Sequence, residues 1–154
     1  MANHEMHNLS RISGETVQVC GRDGDHMMVL AMADGPGHFQ VTSRVGTRVP
    51  LNWTASGRLL VGHLPEKERL DLFEHCAKSS PTGRAVIDPS ALSAAAGEAL
   101  KARISIQAGE SDYAVACVAS PICDDKGVCI ATISIVLAEQ KIADNPDRYA
   151  SEGK

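Results

Sequence analysis

The chain has 154 residues, enough for one domain with a core that needs no staples, and hydrophobic residues make up 44% of it while aromatics make up 3%. Its net charge of -4 comes from 15 basic and 19 acidic residues mixed along the chain, so it lacks the basic stripe of a nucleic-acid binder. No apolar run approaches a membrane span, the opening MANHEMHNLSRISGE has no signal-peptide core, and an odd count of five cysteines points to reduced thiols in a cytoplasm.

In chain order, Met6, Leu9 and Ile12 recur at intervals of three, a short helical stripe that stops at Gly14. ETVQVC alternates, with Val17 and Val19 on one face and Gln18 on the other, and HMMVLAM follows the turn GRDGD, so the pair reads as a hairpin. HFQVTSRVG is expected to be another short strand, and VPLNWTASGRLLVGHLP to be helical up to Pro65. EKERLDLFEHCA then places Leu70, Phe73 and Ala77 on one helical face. Asp88 before Pro89 reads as an N-cap, with a helix to about Arg103. ISIQAG, DYAVACVASPIC and GVCIATISIVLA read as strands, and the polar tail from 139 to 154 as a short helix or disorder. Strands, helices, then strands imply an α+β domain with a largely antiparallel sheet. No glycine-rich phosphate loop joins a strand to a helix.

The stretch CVASPICDDKGVCIATISIV holds Cys117, Cys123 and Cys129. A hairpin turning on DDKG sets Cys117 opposite Ser134, Val115 opposite Val136 and Ala119 opposite Thr132, all on one face. Cys129 falls on the other face with Ala131, Ile133, Ile135 and Leu137, an apolar row suited to a helix-covered core. A three-residue turn with Gly127 in a bulge would shift this pairing by one. Cys123 lies about 20 Å from Cys117 at ~3.3 Å per residue, and no CxxC pair occurs, so the spacing does not suit a metal and none is expected. Cys117 as a nucleophile would need a base, and the six histidines are scattered along the chain. His4 and His7 read as solvated, and Trp53 as a core or interface plug. Thr54 can cap a helix starting at Ala55, leaving the amides of Ala55, Ser56 and Gly57 as an anion-favouring helix start.

RVGTRVPLNWTASGRLLVGHLPEKER and YAVACVASPICDDKGVCIATISIV, preceded by SGETVQVCGRDGDHMMVLAM, resemble three blocks of the IclR-family bacterial transcription regulators, in the same order. The resemblance spans about residues 13–137. Asn52 and Trp53 stand where the family has a histidine and a small residue, Arg58 replaces a lysine, and Val136 replaces a serine that some members carry. What it implies is a GAF-like effector-binding domain, without the family's winged helix-turn-helix. Residues 1–13 would be the end of a linker helix, 14–138 the effector-binding domain and 139–154 a tail. The effector would be a small organic acid, with no cofactor, in a homo-oligomer that meets DNA only through a domain this chain lacks.

By motif position, the resemblance carries the pocket onto Val41, Val49, Ala55, Ser56, Gln107, Val115, Cys117, Ser134 and Val136. Cys117 would line the ligand, and Cys123 and Cys129 would be structural. Two rivals remain on the same fold: a thiol enzyme that acts on a small acid through Cys117, and an oligomerisation domain with a vestigial pocket. The charge balance yields a direct expectation. The purified chain gives no sequence-specific, salt-sensitive gel shift with DNA; such a shift would contradict the reading.

Overall fold

A computed structural model describes residues 2–36, 43–109 and 115–144. Among these residues six strands form one antiparallel sheet: β1 (Thr16–Asp23), β2 (His26–Ala33), β3 (Arg48–Pro50), β4 (Ser105–Ala108), β5 (Val115–Cys123) and β6 (Cys129–Ala138). Their order across the sheet is β3-β2-β1-β6-β5-β4, so the chain's first and last hairpins meet at the central β1–β6 pair. The helices are α1 (Ala2–Ser13), α2 (Ala55–Val61), α3 (Glu66–Cys76), α4 (Pro89–Ala102) and α5 (Glu139–Asp144), with a 3₁₀ turn at Leu51–Trp53 before α2. The α+β, antiparallel reading of the sequence holds. The expected strand from residue 38 to 46 falls partly outside the described residues, and 45–46 form a turn closed by Thr47 N–H donating to Arg44 O. The third strand lies instead at Arg48–Pro50, where the sequence reads as helical.

The sheet separates two cores because alternate strand residues face opposite sides. Val17, Val19, Val118, Ile135 and Leu137 pack with Met6 and Leu9 of α1. On the opposite side Cys20, Val29, Ala119 and Cys129 join Leu51, Ala55, Leu59, Leu60, Phe73 and Leu92 from the 3₁₀ turn and α2–α4. With few aromatics available, these aliphatic side chains supply most of the burial, each worth about 1.5–3 kcal/mol relative to exposure. The apolar row Ile133, Ile135, Leu137 is thus covered by α1, and the side covered by α2–α4 is the one carrying Cys117 and Ser134.

The β5–β6 register corrects the sequence reading in a specific way. Cys117 lies opposite Val136, Ala119 opposite Ser134 and Val115 opposite Ala138, two residues beyond the expected partners. Two separate one-residue shifts add up. The first is the turn itself: Asp124 N–H donates to Val128 O (3.0 Å), Asp124 Oδ1 accepts from the amides of Lys126 and Val128, and Gly127 adopts φ +81°. The second is a bulge that skips Ile130, so that Ile122 faces Ala131 while Cys123 faces Cys129. Beyond the bulge parity is restored, and every other face assignment survives. Cys129 alone sits between the shifts, and it turns to the side of Cys123 and Cys117 rather than joining Ala131 and Ile133.

The TASG segment seats α2. Thr54 is the cap, and its Oγ1 accepts the Gly57 amide at 2.9 Å, so that amide is already used. Gly57 is required by contact: a Cβ there would overlap the Leu51 carbonyl oxygen. Asn52, buried to 0% exposure, ties the connection after α3 to this turn. Its amide donates to Lys78 O (2.8 Å) and Val86 O (3.0 Å), and its oxygen accepts Lys78 N–H. The Trp53 indole N–H donates to the same Lys78 O at 3.0 Å. At the far end of α4, Arg103 occupies the left-handed region (φ 58°, ψ 32°), and its N–H closes onto Ala99 O and Leu100 O. Substituting Gly57→Ala should destabilise the domain by about 3 kcal/mol, the upper part of the overpacking range. The check is a lower urea midpoint at unchanged m-value.

Candidate functional site

The face of the sheet toward α2 is unusual in what it buries. Adjacent strands align Gln107, Cys117, Val136 and Thr16 in one row, Ser105, Ala119, Ser134, Gln18 and Met32 in the next, and Pro121, Thr132, Cys20 and Val29 in a third. Thr16, Gln18, Ser105, Gln107, Thr132 and Ser134 are all buried. A sheet face packed only for stability would carry aliphatic residues here, as the opposite face does, because a buried polar group needs a partner to offset its desolvation.

Some partners are internal. Thr132 Oγ1 donates to Ser56 Oγ at 2.7 Å, joining β6 to the first turn of α2. Gln18 Nε2 donates to Ser43 Oγ at 2.8 Å, and Thr16 Oγ1 accepts Gly35 N–H at 3.0 Å. The Cys20 thiol donates to Gln18 Oε1 at 4.0 Å and lies among the hydroxyls of Ser56, Ser134 and Thr132. Ser105 Oγ is buried with no hydrogen-bond partner among the described residues. Burial is the main influence on Cys20 and pushes its thiol up to about 11, against the smaller opposing pull of those hydroxyls. It is therefore a neutral thiol at pH 7.

Eight of the nine residues carried over by resemblance can be placed. Gln107, Val115, Cys117, Ser134 and Val136 occupy this one face, and Val49, paired with Met27, lies on the same side at the β3 end. Ala55 and Ser56 approach it from α2. Val41 lies outside the described residues. Cys117 has Gln107 and Val136 as its cross-strand neighbours, neither of which supplies a base or a positive charge. Thr16, Gln18, Cys20 and Ser105 were missed from sequence, and Thr132, read onto this face, was not among the carried-over residues. The signal was there in the alternation of Thr16, Gln18 and Cys20, but using it required knowing that β1 pairs with β6. Among the described residues no group of three or more His, Cys, Asp or Glu could hold a metal ion, and no helix is long and apolar enough to cross a membrane.

Comparison with known proteins bears directly on this arrangement. The family model for the bacterial transcriptional regulator IclR C-terminal region matches residues 1–152. The chain belongs to the IclR family. It is 29% identical over 149 residues to the HTH-type transcriptional repressor AllR of Klebsiella pneumoniae, covering 97% of this chain and 54% of that protein. It thus spans about half the length of the curated relatives it matches. Among solved structures, the C-terminal domain of the E. coli transcriptional regulator KdgR superposes with a TM-score of 0.84 at 25% identity, over 99% of this chain and 88% of that one. An IclR homolog from Microbacterium hydrocarbonoxydans, complexed with 4-hydroxybenzoate, gives 0.83 at 22% identity, over 99% and 62% of the two chains. The fold is that of the IclR effector-binding domain.

The burial of the thiols sets a measurable order of reactivity. Cys117 and Cys123 are partly exposed, whereas Cys20, Cys76 and Cys129 are buried. A thiol reagent at neutral pH should titrate Cys117 and Cys123 in the native state and the other three only on unfolding. The raised Cys20 thiol also makes the fold alkali-sensitive: below its usual value of 9.0 both states carry the proton, and stability falls as pH rises from there through about 11. Alkaline melts of wild type and Cys20→Ala should show a smaller loss in the variant.

Proposed function

We propose that this domain senses a small organic acid and passes the signal to a DNA-binding domain elsewhere in the full-length regulator. The observation that carries the reading is the sheet face of buried hydroxyl and amide groups beneath α2, with Ser105 Oγ lacking a partner among the described residues. Val49, Val115 and Val136 would enclose the apolar part of the ligand, and Ser134, Ser56 and Gln107 would supply neutral polar anchors, the usual composition of a small-molecule site. The 4-hydroxybenzoate bound by the Microbacterium homolog is an acid of suitable size and chemistry for such a lining.

The carboxylate would sit between the Ala55–Ser56 turn and the strands bearing Cys117 and Ser134. Because Thr54 already holds the Gly57 amide, the hydroxyls carry more of the recognition than the helix start does. None of the proposed contacts is an arginine or lysine, so affinity should be modest and only weakly dependent on salt. In the same reading residues 1–13 end a linker helix, the regulator works in the cytoplasm, and copies of it associate. Trp53, half-buried and tied to Lys78 O, is a candidate contact between copies.

Calorimetry with 4-hydroxybenzoate and a panel of small carboxylates tests the site. Ser134→Ala should weaken binding by ~1–3 kcal/mol, the range for a hydrogen bond to a charged group. Ala55→Leu should remove binding by filling the space under α2. Cys117→Ser should keep binding and reveal no turnover; consumption of the acid by wild type but not by Cys117→Ser would instead establish a thiol enzyme. If both Ser134→Ala and Ala55→Leu bind like wild type, the ligand sits elsewhere.

A further inference from the structure

The turn closed by Asp124 and Val128 sets two thiols face to face, immediately before the bulge in β6. Cys123 and Cys129 are direct cross-strand partners at the mouth of the β5–β6 hairpin. Because Asp124 N–H donates to Val128 O, the 124/128 pair is the hydrogen-bonded one, and the adjacent Cys123/Cys129 pair is of the other kind. Such pairs hold their Cα atoms about 4.5 Å apart with side chains close, within the window of ~4.4–6.8 Å that a disulfide spans. The two thiols already interact: the Cys123 side chain is among the neighbours acting on Cys129. Cys117 lies on the same face, but about 20 Å from Cys123 at ~3.3 Å per residue.

The two sulfurs differ in their surroundings. Cys123 is partly exposed, and the Arg103 guanidinium donates to its Sγ at 4.0 Å. Arg103 is itself fixed twice over, by its N–H at the end of α4 and by its carbonyl, which accepts the Ser120 hydroxyl at 3.1 Å. The guanidinium is therefore held against the more accessible of the two sulfurs. Cys129 is buried, its Sγ donates to Ala131 O at 3.2 Å, and desolvation chiefly pushes it up to about 12.

We propose that Cys123 and Cys129 form a redox-active dithiol that a hydroperoxide closes to a disulfide, Cys123 attacking and Cys129 resolving. In the first step the Cys123 thiol loses its proton to solvent and its sulfur attacks the terminal peroxide oxygen. The O–O bond breaks, the leaving oxygen takes up a proton to become an alcohol or water, and Cys123 becomes a sulfenic acid. In the second step the Cys129 sulfur attacks the Cys123 sulfur. The S–O bond breaks, hydroxide leaves, and the proton of Cys129 completes a water molecule. Both sulfurs are oxidised, and one peroxide is reduced. The ring closed is short, so the bond constrains the unfolded chain little and remains open to reduction by a thiol. The proposal is independent of which acid the polar face binds.

Lys126 lies between the two cysteines, so trypsin separates them and a disulfide appears as two linked peptides. Wild-type protein treated with hydrogen peroxide, alkylated and digested should show the Cys123–Cys129 link, and dithiothreitol should reverse it. Cys129→Ser should stop at a sulfenic acid on Cys123 that dimedone traps. Cys123→Ser should leave Cys129 unoxidised, with melting curves confirming that both variants fold. Arg103→Asn, which tolerates the left-handed backbone while removing the guanidinium, should slow oxidation several-fold. The proposal is overturned if wild type passes to sulfinic acid on Cys123 without a link, or if Cys129 links to another cysteine. Oxidation of Arg103→Asn at the wild-type rate would overturn the role given to Arg103.

Discussion

The seating of α2 against the sheet governs the rest of the domain. Gly57 must lack a side chain because the Leu51 carbonyl occupies that space, and Thr54 fixes the first turn by holding the Gly57 amide. With the helix start placed this way, Ser56 meets the Thr132 hydroxyl, and the depth of the polar face beneath the helix is set. A larger residue at 57 would lift α2 and open the Ser56–Thr132 bond at the same time. Neither contact is adjustable alone, since packed interiors transmit displacement rather than absorb it.

The residues that depart from the family pattern are absorbed locally. Asn52 makes three hydrogen bonds to backbone groups of Lys78 and Val86, which accounts for a fully buried amide. Trp53 shares the Lys78 carbonyl. Arg58 reaches across to the Ile106 carbonyl at 3.1 Å, binding α2 to β4 at the sheet edge. Val136, without a hydroxyl, stands between Cys117 and Thr16 in the first row, which therefore carries one hydrogen-bonding side chain fewer than a serine there would give.

Much of this was legible from the chain. Pro89 after Asp88 located α4, the GRDGD turn located the first hairpin, and the alternation in VACVASPIC separated the side of Cys117 and Ala119 from that of Val118. Asp88 nevertheless sits at the cap without a side-chain cap hydrogen bond, so there the position was right and the cause was not. What escaped were long-range facts. The pairing of β1 with β6 joins residues more than a hundred positions apart, and no local pattern encodes it. The bulge at Ile130 escaped too, because a single inserted residue leaves the composition of the strand unchanged. Together with the turn shift it left one side chain on the other face: Cys129, read as part of the apolar row, meets Cys123.

The division of the sheet into two differently covered sides has a mechanical meaning. Ser134 and Thr132 face α2, while Ile133 and Ile135, their immediate chain neighbours, face the side covered by α1. Along β6, successive side chains are therefore arms reaching to opposite sides of one strand. A strand that tilted to grip something on the polar side would drive its other arm into a closely fitted layer where Met6 is 2% exposed. The N-terminal helix thus packs on the reverse side of the same strands that carry the polar face.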